Sequence, residues 1–349
     1  MRQGSKVHQA LEDEVHRTVK IEIMTKEDGF GLKLWNLVQG LRTLRDTGLT
    51  RELEVWGTID GTFVNGVIDS VSYDNPNPEF EEKLSSQESQ VDHEQPRLTD
   101  YFPPREDKSK GRKPRKAYIA DVKTRGSMRP VTNVLLRPAK IQLFLYYRFL
   151  ADMAAGRLDF FKLFRRYGLD ADDTFSDAFI AQIGSLHDDI FVDPSMSIEE
   201  EPQSSRQAPD GGPGSSWSTE PDSSQEGPDL LRYKTLRELV PLIQQELKLA
   251  FPEGEDSLGH MLRVQYVHRS NGQEIDVHDF PVSKQAPNQY LDRYMSWWRG
   301  EREARGVKME EAFKCRTCEF AGDCTWRQKM DDEMVRKAQE KMHSKRMNW

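Results

Sequence analysis

Residues 54–73 constrain the fold of this chain more than any other stretch. Glu54–Ile59 and Thr62–Tyr73 are rich in β-branched and aromatic side chains, and only Asp60-Gly61 separates them. An Asp-Gly pair between two such runs is typical of a hairpin with a type I′ turn. The sequence therefore predicts a β-hairpin here, and Tyr118–Thr124 is predicted to be a third strand.

Helices are predicted on both sides of these strands. Apolar residues recur at three- and four-residue spacing between Lys6 and Leu49, around a short predicted strand at Thr18–Met24. A second hairpin is predicted around the Asn-Gly turn at 271–272. The remaining predicted elements are helices over Ala139–Ala154, Thr235–Leu249, Gln289–Arg305 and Arg327–Trp349, and the hairpin strands Met261–His268 and Glu274–His278. Together these elements predict an α/β protein.

Two segments interrupt the pattern. Asp74–Lys116 is rich in Pro, Ser, Glu and Lys, and Pro194–Asp229 is poor in apolar residues. Such composition is typical of inserts without a packed core, so both segments are predicted to be flexible. The basic run at 105–116 is either a solvated part of the first insert, a phosphate-binding patch or a nuclear address.

Charged residues stand inside two of the predicted strands. Asp69 follows Val67-Ile68, and Asp121 lies between Ala120 and Val122, although aspartate is depleted in strands. Alternation places Asp121 and Lys123 on one face of their strand. Two carboxylates beside a lysine suit Mg²⁺ and the hydrolysis of a phosphodiester. An exposed ion pair on an edge strand is the alternative interpretation.

The cysteines form a compact group near the end of the chain. All three lie within ten residues, at Cys315, Cys318 and Cys324. Close thiolates can share one metal centre, but zinc and iron–sulfur sites both use four ligands. A disulfide framework fits poorly, because three cysteines leave one unpaired. The group therefore predicts a metal or cluster site whose fourth ligand comes from elsewhere.

Charge and hydropathy exclude some classes of protein. The net charge of −8 and a pI near 5.6 exclude a global basic field, so a nucleic-acid site must be a local patch. No apolar run approaches the ~20 residues of a membrane span, so no membrane partner is expected. The first twenty residues lack a signal-peptide pattern, and their acidic residues are atypical of a transit peptide.

Four motifs in order resemble the RecB-like branch of the PD-(D/E)XK nucleases. They are Gly4-x3-His8, Gly66-Val-Ile-Asp69, Asp121-x-Lys123 and Gln142-x3-Tyr146. The resemblance implies Mg²⁺ or Mn²⁺ held by Asp69, Asp121 and His8, with Lys123 positioning or activating water. It also implies that Gln142 and Tyr146 contact the substrate or brace the site. Glu12 is a weaker candidate, since Glu14 could serve equally.

The resemblance narrows to the exonuclease V family, iron–sulfur exonucleases of fungal mitochondria and other eukaryotes. Thr50–Gly57, Ile119–Thr124 and the three cysteines carry it, together with the Asp69 strand. It implies a [4Fe–4S] cluster held by four cysteines, one of them upstream of the core. No cysteine precedes Gly4 here, and a shortened chain is the simplest expectation. Zinc held by the three cysteines and a histidine is the alternative.

The family resemblance defines the expected organisation and activity. A PD-(D/E)XK core with a mixed central sheet flanked by helices is expected over 1–193, with the flexible insert 74–116 inside it. A disordered insert spans 194–229, and the cluster-binding C-terminal part spans 230–349. The expected function is cleavage of single-stranded DNA, mainly from 5′ ends, in mitochondrial genome maintenance and DNA repair, with the nucleus as a second compartment. The alternative is a non-catalytic single-stranded DNA-binding module. A monomer is expected, with any single-strand-binding protein partner unidentified.

Overall fold

A computed structural model describes residues 7, 11, 15, 17–19, 21–91, 115–184, 190–192, 233–283, 285–303 and 305–347 of the chain. The chain divides into two compact units. The first unit comprises Met1–Pro130 and Gln142–Val282, and the second comprises Val131–Ile141 and Ser283–Trp349. No described helix is both long and apolar enough to cross a membrane.

The first unit is built on a mixed five-stranded sheet. Its strand order is β2-β3-β4-β6-β7, in which β4 and β6 run parallel and every other neighbouring pair is antiparallel. The strands are β2 (Leu49–Ile59), β3 (Thr62–Ser72), β4 (Ala117–Arg125), β6 (Leu258–His268) and β7 (Glu274–Pro281). A separate parallel pair joins β1 (Arg17–Val19) to β5 (Ile190–Val192). The predicted α/β class and mixed sheet are confirmed.

Local sequence signals define the ends of the first elements. Asp60 and Gly61 both have positive φ, 50° and 74°, as the predicted type I′ turn requires. Helix α1 (Lys26–Thr47) begins at a capping box in which the Thr25 side chain accepts from the backbone N–H of Asp28. It ends at Gly48, in the left-handed conformation with φ 86°. The position of the hairpin turn and both ends of α1 are therefore set by residues within those segments.

Helices cover both faces of the sheet. On one face, Phe30 of α1 contacts Trp56 of β2, with ring centroids 6.0 Å apart. On the other face lies α3 (Asn133–Ala154), whose Phe149 ring occupies the space where a side chain on Gly57 would project. Successive strand residues point to opposite faces. Trp56 therefore contacts the helix on one face of the sheet, and Gly57 contacts the helix on the other.

Helix α6 (Leu236–Ala250) packs beside α1 through a buried ion pair. Glu246 is 5% exposed and accepts from Arg42 Nε at 2.8 Å and from Arg45 Nη1 at 2.7 Å. One carboxylate thus meets two guanidinium groups of the same helix. Removing either partner of such a pair leaves a buried charge without full compensation, which is strongly destabilising.

Part of the segment that was predicted to be a flexible insert forms a helix, α2 (Pro78–Val91). The Asn77 side chain accepts from the backbone N–H of Phe80 at the start of α2. The carboxylate of Glu81 accepts from the hydroxyl of Tyr118 on β4. These contacts hold α2 against the sheet, and charge composition alone did not indicate them. Residues 92–114 and the second predicted insert, 194–229, lie outside the described residues.

Other boundaries shift by a few residues. Helix α3 begins six positions before the predicted Ala139, with Pro138 inside it. Between α3 and β5 lie two helices that the sequence did not predict, α4 (Phe160–Tyr167) and α5 (Asp177–Gly184). In the second unit, α7 (Gln285–Trp298) ends earlier than predicted, and α8 (Thr325–Met347) matches the predicted charged helix. A 3-10 stretch, Met309–Thr317, lies between α7 and α8.

The close packing of α3 on β2 gives a stability prediction. Gly57→Ala should lower the free energy of unfolding by about 1–3 kcal/mol, because the added methyl group overlaps the buried Phe149 ring. Gly29→Ala is the control, since its methyl group would lie 3.5 Å from Ile23 Cγ2 in a helix. It should be neutral or stabilising. Urea unfolding measures both, and equal stability of the two variants would contradict this packing.

Candidate active site

The pairing of β3 with β4 places Asp69 and Asp121 on one face of the sheet. Ser70 pairs with Ala120, and Val71 pairs with Ile119, in antiparallel register. One further step along both strands sets Asp69 opposite Asp121. Facing residues of an antiparallel pair have Cβ atoms roughly 4.5–5.5 Å apart. The two carboxylates predicted from sequence are therefore neighbours.

Asp69 also ends the backbone pairing of these two strands. Its Oδ2 accepts a hydrogen bond from the backbone N–H of Val122 at 2.7 Å. The carboxylate occupies the position that a backbone carbonyl of β3 would otherwise take. This bond holds the side chain of Asp69 toward β4 and fixes it beside Asp121.

Asp121 and Lys123 form a close ion pair. Lys123 Nζ donates to Asp121 Oδ1 at 2.7 Å, and both residues lie on the same face of β4. Asp121 is 1% exposed, whereas the Lys123 side chain is about one-third exposed. The pair therefore presents an ammonium group to solvent above a buried carboxylate. The alternative of a fully exposed edge-strand pair is wrong, because β4 lies between β3 and β6 and Asp121 is buried.

A third carboxylate lies on this face and was not predicted as a site residue. Glu54 of β2 pairs with Val67, two residues before Asp69, so it points to the same side of the sheet. It is 8% exposed, and its Oε1 lies 3.7 Å from Lys33 Nζ of α1. Burial raises the pKa of Glu54, and the charge of Lys33 opposes that shift. An acidic residue inside an apolar strand was the signal available in the sequence.

An aromatic side chain on the neighbouring strand closes the other side of the ion pair. Tyr266 of β6 is paired with Lys123 of β4 in parallel register. Burial raises the pKa of Tyr266, and the negative charge of Asp121 raises it further. Arg125 lies over the Tyr266 ring, its guanidinium carbon 6.0 Å from the centroid. The site therefore extends across three adjacent strands.

Gln142 and Tyr146 contact each other, but they lie on the face of the sheet opposite the carboxylates. Gln142 Nε2 donates to the Tyr146 hydroxyl at 2.9 Å, as their spacing of four residues on α3 allows. The Tyr146 ring fills the space where a side chain on Gly66 would project. Gly66 and Asp69 are an odd number of residues apart on β3, so they face opposite sides. The pair thus contacts the strand that carries Asp69, from the face away from the carboxylates.

The other predicted ligands are either outside the described residues or, for the three cysteines, not brought together as a metal site. His8, Glu12 and Glu14 lie outside the described residues. Cys315 and Cys324 are half-buried and Cys318 is exposed, and all three are free thiols. Among the residues that the structure describes, no group of three or more His, Cys, Asp or Glu side chains is arranged to hold a metal ion. Asp69 and Asp121 still suit Mg²⁺, which binds through one or two carboxylates and completes its sphere with waters and phosphate oxygens.

Comparison with known proteins identifies the family. Residues 1–327 match the family described as exonuclease V, a 5′ deoxyribonuclease. This chain belongs to the exonuclease V family. The match covers every strand of the sheet and all three cysteines. The family resemblance inferred from the sequence motifs is therefore confirmed.

A curated relative supports the same assignment. The chain is 22% identical over 324 residues to a protein named exonuclease V from Danio rerio. The aligned region covers 93% of this chain and 61% of the zebrafish protein. The chain thus spans about three-fifths of the length of that relative, which carries additional sequence outside the aligned region.

The buried Glu54 gives a pH-dependent prediction. Its raised pKa means that the folded state binds a proton more readily than the unfolded state, so ionisation of Glu54 at higher pH costs stability. Glu54→Gln should therefore be more stable than wild type at pH 8. The difference in stability should shrink when the pH falls below 4.5, the ordinary pKa of a glutamate. Glu22→Gln, at an exposed position, should show no such crossover. Urea midpoints across pH measure both variants, and parallel curves for Glu54→Gln and wild type would refute this account.

Proposed function

We propose that this protein is a metal-dependent exonuclease that hydrolyses phosphodiester bonds of single-stranded DNA, mainly from 5′ ends. One observation carries the proposal: Asp69 and Asp121 face each other on adjacent strands, with Lys123 2.7 Å from Asp121. Membership of a family described as 5′ deoxyribonucleases supports it. The arrangement is consistent with the PD-(D/E)XK core that the motifs resemble.

Each side chain of the site has a distinct proposed role. Asp69 and Asp121 hold Mg²⁺ or Mn²⁺, and His8 adds a ligand. When bound, the ion supplies an activated water and offsets charge on the phosphodiester. The Lys123 side chain is about one-third exposed beside Asp121, so its ammonium group can orient the attacking water or stabilise developing negative charge.

The placement of Tyr146 favours bracing over substrate contact. Its ring packs against Gly66 on the face away from Asp69, and Gln142 donates to its hydroxyl. A ring in that position limits movement of β3 toward α3. We propose that the Gln142–Tyr146 pair keeps Asp69 in register with Asp121, and so acts on the site through the strand.

The cleavage reaction tests the proposal directly. Asp121→Asn should lower the rate of Mg²⁺-dependent cleavage of single-stranded DNA by at least about a thousandfold, because a ligand charge is lost. Folding should be retained, since the amide oxygen can still accept from Lys123 Nζ. Lys123→Ala should also lower turnover severely, with less effect on the Mg²⁺ concentration required.

Asp172→Asn is the matched control for this experiment. Asp172 is 64% exposed and pairs with Arg237, outside the sheet. This variant should cleave like wild type. Wild-type turnover by Asp121→Asn would remove Asp121 from the site. Single-strand binding without any Mg²⁺-dependent cleavage by wild type would instead support a non-catalytic binding module.

The cofactor proposal includes a [4Fe–4S] cluster at Cys315, Cys318 and Cys324. The donor chemistry supports it, because thiolates are the ligands of such clusters. The described residues do not gather the three thiols, so no catalytic step is assigned to the cluster. A mitochondrial role in genome maintenance and DNA repair, with the nucleus as a second compartment, is proposed on family resemblance alone.

Metal analysis tests the cluster. Anaerobically purified protein should contain iron and acid-labile sulfide in equal amounts, at fewer than about four irons per chain, because four cysteines normally close such a cluster. Cys318→Ser should lower both iron and sulfide, whereas the conservative neighbour Thr317→Ser should not. Stoichiometric zinc without sulfide would overturn the iron–sulfur assignment.

A further inference from the structure

Aromatic side chains form a stripe along one face of α7 in the second unit. Residues three and four positions apart are neighbours on a helix surface. The Tyr290 and Tyr294 ring centroids are 4.2 Å apart and their planes are inclined by 32°. The Trp297 and Trp298 centroids are 6.0 Å apart. We call the four residues the aromatic stripe: Tyr290, Tyr294, Trp297 and Trp298.

The outer rings of the aromatic stripe are exposed. Tyr294 is 47% exposed, Trp297 44% and Trp298 75%. The structure describes every residue of α7, and Pro287 is the only one of them that is buried. Single exposed apolar side chains are common on protein surfaces, but adjacent large ones mark a binding surface. The aromatic stripe has the second pattern.

An arginine borders the aromatic stripe on the surface of α7. Arg293 is exposed, three residues after Tyr290 and four before Trp297, so it is a neighbour of both. Asp292 lies two residues from Tyr290 and two from Tyr294, and residues at that spacing do not face each other. The helix therefore places its positive charge beside the rings and its negative charge away from them.

A second arginine is fixed against the last turns of α7. The chain turns at Gly300, whose φ is 74°. Arg302 Nε then donates to the carbonyl oxygen of Arg293 at 2.9 Å, and its Nη1 donates to the carbonyl oxygen of Glu303 at 2.8 Å. Neutral carbonyl oxygens hold a guanidinium group in place without cancelling its charge. A cation is thus positioned at the end of the aromatic stripe.

Two acidic residues near the aromatic stripe have cationic partners. Glu301 accepts from Arg299 Nε at 2.6 Å. Glu311 accepts from Lys314 Nζ at 2.7 Å. Burial raises the pKa of Tyr290 to about 12, and the charge of Glu311 contributes to that shift, so Glu311 lies near this ring. The two ion pairs reduce the repulsion that these carboxylates exert on an approaching polyanion.

Exposed rings beside guanidinium groups suit an unpaired nucleic-acid strand. Every base has a π-face that stacks on an aromatic side chain, and arginines bind the phosphates between bases. At about 1.5 Å per residue, the stripe is roughly 12 Å long, enough for about two or three nucleotides. In a duplex, neighbouring base pairs already cover these faces. The chemistry of the surface therefore favours single strands.

We infer that the aromatic stripe stacks unpaired bases of single-stranded DNA, while Arg293 and Arg302 bind the phosphates between them. The identity of the ligand as DNA rests on the proposed function. The preference for single strands is then carried by side chains of the second unit, and not by Asp69 and Asp121.

Binding without metal tests the stripe separately from cleavage. The probe is 3′-fluorescein-labelled oligothymidylate, titrated with the full chain in EDTA and followed by fluorescence anisotropy. A second probe of equal length carries abasic residues, so it keeps the phosphates and lacks the bases. Trp298→Ala and Tyr294→Ala should each weaken oligothymidylate binding about tenfold, the loss of one base stack. Neither should change the affinity for the abasic probe.

Two further variants separate the ring from the charge. Trp298→Phe keeps an aromatic face and should retain most of the affinity for oligothymidylate. Arg293→Gln should weaken both probes by the same factor, because both carry the phosphates. It should also reduce the slope of log Kd against log salt by about 0.7, the value for one phosphate contact on a single strand.

Phe320→Ala is the matched control. Phe320 is 77% exposed, close to the value for Trp298, and it lies outside α7. This variant should bind both probes like wild type. Urea midpoints of Phe320→Ala and Trp298→Ala should both match wild type, because each ring buries little surface.

The outcomes distinguish this surface from the catalytic proposal. If the aromatic stripe instead contacts another protein, Trp298→Ala and Tyr294→Ala should bind oligothymidylate like wild type, and the inference is wrong. Equal losses on the oligothymidylate and abasic probes would also contradict it. A penalty confined to the probe with bases supports the inference, even if wild type shows no Mg²⁺-dependent cleavage.

Discussion

The proposed chemistry of this protein depends on the backbone register between β3 and β4. Pairing Ser70 with Ala120 brings Asp69 opposite Asp121, and the Asp69 carboxylate then takes the N–H of Val122. A shift of one residue in either strand would turn one carboxylate to the opposite face. The arrangement of Lys123, Tyr266 and Arg125 follows from the same pairing, carried across to β6.

Asp121 and Glu54 are both buried on this face of the sheet, but the positive charge beside each of them lies at a different distance. Asp121 is almost fully buried yet retains an ion pair with Lys123, whose other side meets solvent. Glu54 is also buried, but its lysine partner on α1 lies 3.7 Å away and burial dominates its pKa. A group that must hold a cation at neutral pH needs the first environment. The second environment raises the pKa of the carboxyl group and suits a role in packing or positioning.

Sequence predicted the parts of the fold whose signals are local. The β2–β3 turn requires positive φ at two successive residues, and the Asp60-Gly61 pair indicated this in the sequence. Asp69, Asp121 and Lys123 were predicted as site residues because charged residues inside strands are rare, and the structure places them together. By contrast, α2 depends on the contact of Glu81 with Tyr118, which is 37 positions away along the chain. The face on which Tyr146 lies, and the burial of Glu54, likewise depend on tertiary packing that no local pattern encodes.

Gly57 and Gly66, which lie under α3, allow this helix to pack only on a correctly paired hairpin. Phe149 and Tyr146 fit only where Gly57 and Gly66 leave the sheet surface bare. A hairpin that slipped by two residues would keep its apolar face, so hydrophobic burial alone would tolerate the error. It would, however, present Val55 or Ile59 beneath Phe149 and leave no space for the ring. Docking of a single helix thus disfavours misaligned strands, and with them a misplaced Asp69 carboxylate.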